Sequence, residues 1–210
     1  MTRRLWGRAS SVNVQKVLWT LDELALDHER IDAGGRYGRT DTDAFARLNP
    51  NRRVPVLEHD GFLLWESHAI MRHLADVTGG LGSDRPQLRA RSDQWMEFTS
   101  TTLQPPFLAL FWQMVRLPPE RREPSVLTAE AARLGSALRI LDGRLSEVSW
   151  LAGDDFTLAD IAAGSLMHRI TDLGLAEDAL GALHRWHRAL SARAGYRAHV
   201  ATSYEELRGA

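Results

Sequence analysis

The chain has 210 residues, 44% hydrophobic and 25% charged, with a net charge of -1, which fits an ordinary globular protein of one or two domains. Such a balance gives no broad attraction to nucleic acid or to a membrane surface, and neither is an expected partner. With no cysteine in the chain, disulfides, thiolate metal sites and a cysteine nucleophile are excluded.

The opening residues carry two arginines but no apolar run of the secretory kind. No stretch approaches the ~18 apolar residues of a membrane span, so a cytoplasmic location is expected. Residues 3–7 read as a strand. After Gly7, Val14, Val17, Leu18, Leu21 and Leu24 recur with a helical period. Residues 27–33 read as a short strand, and 41–49 as a short helix stopped by Pro50. Residues 54–67 alternate around Asp60-Gly61, the signature of a hairpin. A helix follows, closed by Gly79. The order β-α-β-α-β-β-α predicts a mixed sheet with helices packed on it, an α/β unit.

The texture changes at residues 77–87, where Gly, Ser, Asp and Pro cluster as in a linker. This divides the chain into domains at 1–79 and 86–210. Beyond it the pattern is all-helical, with helices expected over about 86–116, 125–147, 157–172, 178–193 and 195–203. Pro105-Pro106 should kink or break the first of these. Thr157 and Asp160 form a capping box with Asp in place of Glu, with Phe156 and Ile161 placed as a hydrophobic staple.

Two short motifs point to chemistry. Pro55 sits between apolar strand residues, either as an edge-strand proline or as a cis proline. In the cis case the backbone N–H and C=O of Val54 would face outward and could pair with an extended peptide ligand. Glu66-Ser67 opens the helix after the hairpin. Ser67 and the first free N–H groups suit a carboxylate, and Glu66 suits an ammonium; an α-amino acid end carries both. The plainer reading of the pair is a helix cap.

A β-α-β-α-β-β-α unit with Val54-Pro55 before its hairpin and Glu66-Ser67 after it, then a helical half containing residues 151–161, resembles the cytosolic glutathione S-transferases over essentially the whole chain. The resemblance implies a thioredoxin-like N-terminal domain, an all-helical C-terminal domain and usually a homodimer. It implies glutathione as co-substrate and no metal. It also implies that Val54, before Pro55, pairs with the cysteinyl part of glutathione, and that Glu66 and Ser67 grip the γ-glutamyl end. Arg53 and Arg39 fall where such proteins meet the glycine carboxylate. Trp6 stands where other members carry a tyrosine. Gly7, Ser11, Asn13 and Lys16 match the spacing of the serine-type, plant-like members. Ser11 is favoured as the thiol contact, with Ser10 and Asn13 as rivals.

A donor at that place has a physical use. The thiolate is the nucleophile, and a free thiol of pKa ~8.5 is only ~3% ionised at pH 7. Lowering that pKa by ~2 units raises the thiolate ~25-fold for ~2.7 kcal/mol. A helix N-terminus and a hydroxyl both stabilise an anion. The alternative for Ser10 or Ser11 is a cap alone.

The second substrate, a small hydrophobic electrophile, is expected between the domains. Trp95, Thr102, Phe107, Phe111, Trp112 and Met114 are its candidate contacts, with Arg8 also facing the cleft. The competing role for those aromatics is helix-bundle core, which leaves about two of the six for the cleft. His68, His73, His168, His184 and His187 show no metal-ligand pattern and are assigned to surface or core. The implied activity is transfer of an alkyl or aryl group to the glutathione thiol. Glutathione-dependent disulfide or peroxide reduction is an alternative, as is a non-catalytic binding module.

Overall fold

Alternating apolar residues in the first 65 positions form a four-stranded sheet in a computed structural model that describes residues 2–209. Met1 and Ala210, the ends of the two expected domains, lie outside the described residues. The strands are β1 (Arg3–Trp6), β2 (Glu29–Ile31), β3 (Val56–His59) and β4 (Phe62–Trp65), in the order β2-β1-β3-β4. β1 runs parallel to β2 and antiparallel to β3, with Leu5 opposite Leu57. β3 and β4 form the predicted hairpin, in which Asp60 and Gly61 both take positive φ, 50° and 85°. Those angles match the right-handed twist of the flanking strands.

Helices α1 (Val12–Glu23) and α3 (Ser67–Thr78) cover one face. Leu5, Val14, Val17, Leu21, Leu57, Ile70 and Leu74 form a single buried cluster there. Neighbouring strand residues point to opposite faces, so Val56 lies on the other side, packed with Phe45 of α2 (Asp43–Leu48) and Ala33. Each fully buried aliphatic side chain contributes about 1.5–3 kcal/mol, which ties α1 firmly to the sheet.

The helical half comprises α4 (Pro86–Phe98), α5 (Gln104–Phe111), α6 (Pro124–Glu147), α7 (Leu158–Asp172) and α8 (Gly181–Ser191). Pro105-Pro106 does not break the first rod. The chain widens into a π-helical turn at Thr99–Leu103, and α5 starts with the prolines in its first turn, where a missing N–H costs least. A second π-helical turn, Trp112–Arg116, follows α5. The last two predicted helices are shorter than expected. α8 begins only at Gly181, because Leu180 and His184 both turn back onto the Glu177 carbonyl. Beyond it a π-helical turn at Tyr196–Val200 replaces the helix over 195–203. α7 packs against α1, α4 and α5 and so joins the helical half to the sheet.

Candidate active site

Gly7 leads β1 into α1 through a narrow gap. A Cβ there would meet Val14 Cγ2 at 2.4 Å and Val54 Cβ at 3.3 Å, so only glycine lets the chain pass this closely. The turn after it ends on Ser11, the residue that caps α1. Ser11 has extended backbone angles, φ -80° and ψ 121°, and its side chain makes no capping bond to the helix. The cap-only reading therefore loses its main support: the Ser11 hydroxyl is left available at a positive helix end.

The two rivals are engaged. Ser10 is 6% exposed, and its hydroxyl accepts from Arg8 Nε at 3.2 Å. Its carbonyl accepts from the Arg169 guanidinium at 2.8 Å. Asn13 Oδ1 accepts from Lys16 Nζ at 3.2 Å and from Gln104 Nε2 at 3.4 Å.

Two cavities meet at Asn13 and Gln104, which line both. The first, about 280 Å³, is walled by Lys16, Glu66, Ser67, His68 and Arg72. Glu66 holds φ 70° and ψ 117° at the mouth of α3, a backbone state that a residue with a Cβ rarely adopts and that concentrates at ligand clamps. Ser67 is the first residue of α3 and is 6% exposed. The Val54-Pro55 bond is cis, and Val54 lies just outside the ladder that ends at Trp6 and Val56.

Lys16, the only lysine of the chain, is 1% exposed. Its ammonium donates to Gln104 Oε1 at 2.6 Å and to Asn13 Oδ1, and lies 3.3 Å from His68 Nε2. All three neighbours are uncharged. Burial pulls Lys16 from 10.5 to about 7, while the Glu66 charge pulls the other way. Burial first, then Lys16 and Arg72, pushes His68 down to about 2, so it is uncharged. His68 was assigned from sequence to surface or core; the fold instead sets it on the cavity wall. Lys16 and Gln104 were not among the sequence candidates. A single lysine inside an apolar helical run was the available signal for Lys16. Gln104 gave none.

The second cavity, about 350 Å³, opens on the other side of Asn13. Arg8, Ser10, Ser11 and Arg53 reach it from the sheet half, and Phe111 and Trp112 from the helical half. Trp95, Thr102, Phe107 and Met114 do not line it. Trp95 meets Phe98 edge to face, centroids 5.3 Å apart, and with Met114 packs against the core. Phe107 is wholly buried in that core, and Thr102 faces outward. Arg39 also lies outside both cavities: its side chain is exposed, and its carbonyl accepts from the Thr42 hydroxyl at 2.7 Å. A larger cavity of about 870 Å³ lies between the end of α1 and Ala192–Gly195 and shares no residue with these two. Among the described residues no group of three or more His, Asp or Glu side chains is arranged to hold a metal. No helix there is long and apolar enough to cross a membrane.

Comparison with known proteins agrees with this geometry. The family model "Glutathione S-transferase, N-terminal domain" matches residues 1–76, and "Glutathione S-transferase, C-terminal domain" matches residues 103–194. The chain is 37% identical over 197 residues to Glutathione S-transferase GstB of Escherichia coli, covering 92% of this chain and 95% of that one. Glutathione S-transferase 4 of Zea mays is 30% identical over 90% of this chain and 88% of its own. Among solved structures, the theta class glutathione S-transferase of Xanthomonas axonopodis pv. citri with glutathione bound superposes with a TM-score of 0.91. It is 34% identical, covering 96% of this chain and 98% of that one. The chain belongs to the glutathione S-transferase family.

Proposed function

We propose that the protein is a glutathione transferase of the serine type. Residues 1–79 hold glutathione and residues 86–210 shape the site of a small electrophile with an apolar body. The observation that carries this reading is the unengaged Ser11 hydroxyl at the N-terminus of α1, on the wall of a cleft with an apolar side that meets the polar cavity at Asn13 and Gln104. The thiol of glutathione ionises beside Ser11, with the free amide N–H groups of Asn13 as a second donor. Its proton leaves to solvent, and the sulfur attacks the electrophile. Val54 pairs with the cysteinyl backbone, as an added strand would, and Arg53 meets the glycine carboxylate. Glu66 takes the γ-glutamyl ammonium; Ser67 and Lys16 take its carboxylate. The test is conjugation of glutathione to a chloronitroarene, followed through release of chloride, which this reading expects to occur. No conjugation, together with no glutathione binding in a titration, would remove this reading. A cytoplasmic homodimer goes with it. Phe62 and Leu63, both exposed on the edge strand β4, leave apolar surface there for self-association.

Lys16 makes the reading testable by proton counting. With a pKa of about 7, roughly nine-tenths of Lys16 is neutral at pH 8. A carboxylate placed beside it favours the ammonium and raises its pKa, so binding takes up a proton. S-methylglutathione, which has no thiol proton to release, is expected to bind with uptake of up to roughly 0.9 proton at pH 8 and much less at pH 6. Calorimetry in buffers of different ionisation enthalpy reads the uptake. No uptake at either pH would show that the carboxylate does not reach Lys16.

A further inference from the structure

We infer that the second substrate carries an acidic group of its own: an aromatic electrophile with a carboxylate, seated against arginines of the cleft. This rests on the transferase reading above. Among the described residues, the cleft of about 350 Å³ is lined by Arg8, Arg53, Arg116 and Arg169, with no aspartate or glutamate on its walls. Arg53 serves the glycine end of glutathione. The γ-glutamyl end lies beyond Asn13, in the other cavity. Arg8, Arg116 and Arg169 then face the place that the acceptor must occupy.

Arg169 is the strongest sign. It is 3% exposed, yet its Nε has no hydrogen-bond partner. Among the described residues its one hydrogen bond goes to the Ser10 carbonyl, and its guanidinium lies 5.0 Å from the Phe111 ring and 5.2 Å from that of Tyr204. A buried guanidinium is normally paired with a carboxylate, and among the described residues no carboxylate reaches ion-pair distance of this one. The nearest acidic help for Arg8 is Glu206, which is ion-paired to Arg36 at 3.1 Å. Burial, followed by Arg8 and Arg116, lowers Arg169 to about 10, against a raising pull from Tyr204. Burial and then Arg116 lower Arg8. Burial and neighbouring cations thus disfavour the charge on both Arg8 and Arg169, and a bound anion would relieve both. Leu108 and Trp112, half exposed, offer the flat apolar wall that an aromatic ring needs.

The chemistry stays that of a transferase. The thiolate lone pair forms a C–S bond at the ring carbon bearing chlorine. The C–Cl bond breaks with its electron pair, and chloride leaves. The carboxylate takes no part in the bond changes; it fixes the ring so that this carbon faces Ser11.

The test compares 4-chloro-3,5-dinitrobenzoate with its methyl ester, each rate divided by the rate with glutathione alone. The normalised kcat/KM should favour the acid by about tenfold or more, the size of one charge-assisted contact. Arg116→Gln and Arg169→Gln should each lower the acid-to-ester ratio several-fold. Arg116 lies at the cleft surface, so its variant folds even if loss of Arg169 loosens the loop at Ser10. Titration with the preformed glutathione conjugates of acid and ester scores the same preference without turnover. An ester equal to or better than the acid, while glutathione still binds, overturns this inference and leaves the transferase reading standing. So does a ratio unchanged in both variants. Failure to bind glutathione or either conjugate overturns both.

Discussion

Replacing Ser11 by alanine is expected to raise the pKa of bound glutathione by roughly one to two pH units and to cut kcat/KM by roughly tenfold to a hundredfold near neutral pH. The magnitude follows from the kind of bond lost. A hydrogen bond to a charged group contributes about 1.5–3 kcal/mol, and about 1.4 kcal/mol corresponds to one pH unit. The helix end remains in Ser11→Ala, so the pKa should stay somewhat below that of the free thiol. Thiolate absorbance across pH, with turnover on the same samples, separates the two effects. Well above the new pKa the variant should approach the parent rate, because the serine stabilises the nucleophile and makes no bond itself. Ser10→Ala should change the pKa little, since that hydroxyl already serves Arg8. Should Asn13→Ala or Ser10→Ala move the pKa while Ser11→Ala does not, the assignment passes to that residue.

The sequence disclosed most where neighbours in the chain are neighbours in space. The Asp60-Gly61 hairpin, the Glu66-Ser67 helix start and the spacing of Gly7, Ser11 and Asn13 each depend on a few consecutive residues. Local geometry alone determines them. The cleft wall is different. Gln104, Arg116 and Arg169 come from three turns of the helical half and meet α1 only through packing, as the Gln104 contact with Lys16 shows across 88 positions. No periodicity could choose Phe111 and Trp112 over Phe107, because all three lie on one aromatic rod and Phe107 and Phe111 share a face one turn apart, their rings 5.8 Å from each other. The two prolines misled for a related reason. A proline disfavours an α-turn, but a π-helical turn beside it keeps the rod continuous, and tertiary packing decides between breaking and widening. Lys16 was visible as a lone lysine. Its burial, which gives it an unusual pKa, was not.

The capping box carries the largest expected effect on stability. Asp160→Ala should destabilise the protein by about 3–5 kcal/mol, more than a helix cap alone is worth. The carboxylate is fully buried and serves both the helix and its surroundings. Oδ2 accepts from the Thr157 backbone N–H at 3.0 Å, closing the predicted box. Oδ1 accepts from the Leu151 N–H at 2.9 Å and from Trp186 Nε1 of α8 at 3.0 Å. Alanine leaves all three donors buried without an acceptor, at about 1–3 kcal/mol each before relaxation. Phe156, which packs against the core cluster containing Ile161, also meets Trp19 and Trp150, with centroids 5.8 and 5.1 Å away, and so fastens the start of α7 to α1. Thr157→Ala should cost only about 1 kcal/mol. Urea unfolding of both variants measures the difference. A loss below about 1 kcal/mol for Asp160→Ala would mean that water or a shifted backbone replaces the carboxylate. The consequence reaches the proposed site, because α7 also carries Arg169, whose guanidinium holds the Ser10 carbonyl next to Ser11. Loosening α7 should therefore lower the temperature at which activity is lost, while the pH dependence of the enzyme that remains folded stays that of the parent.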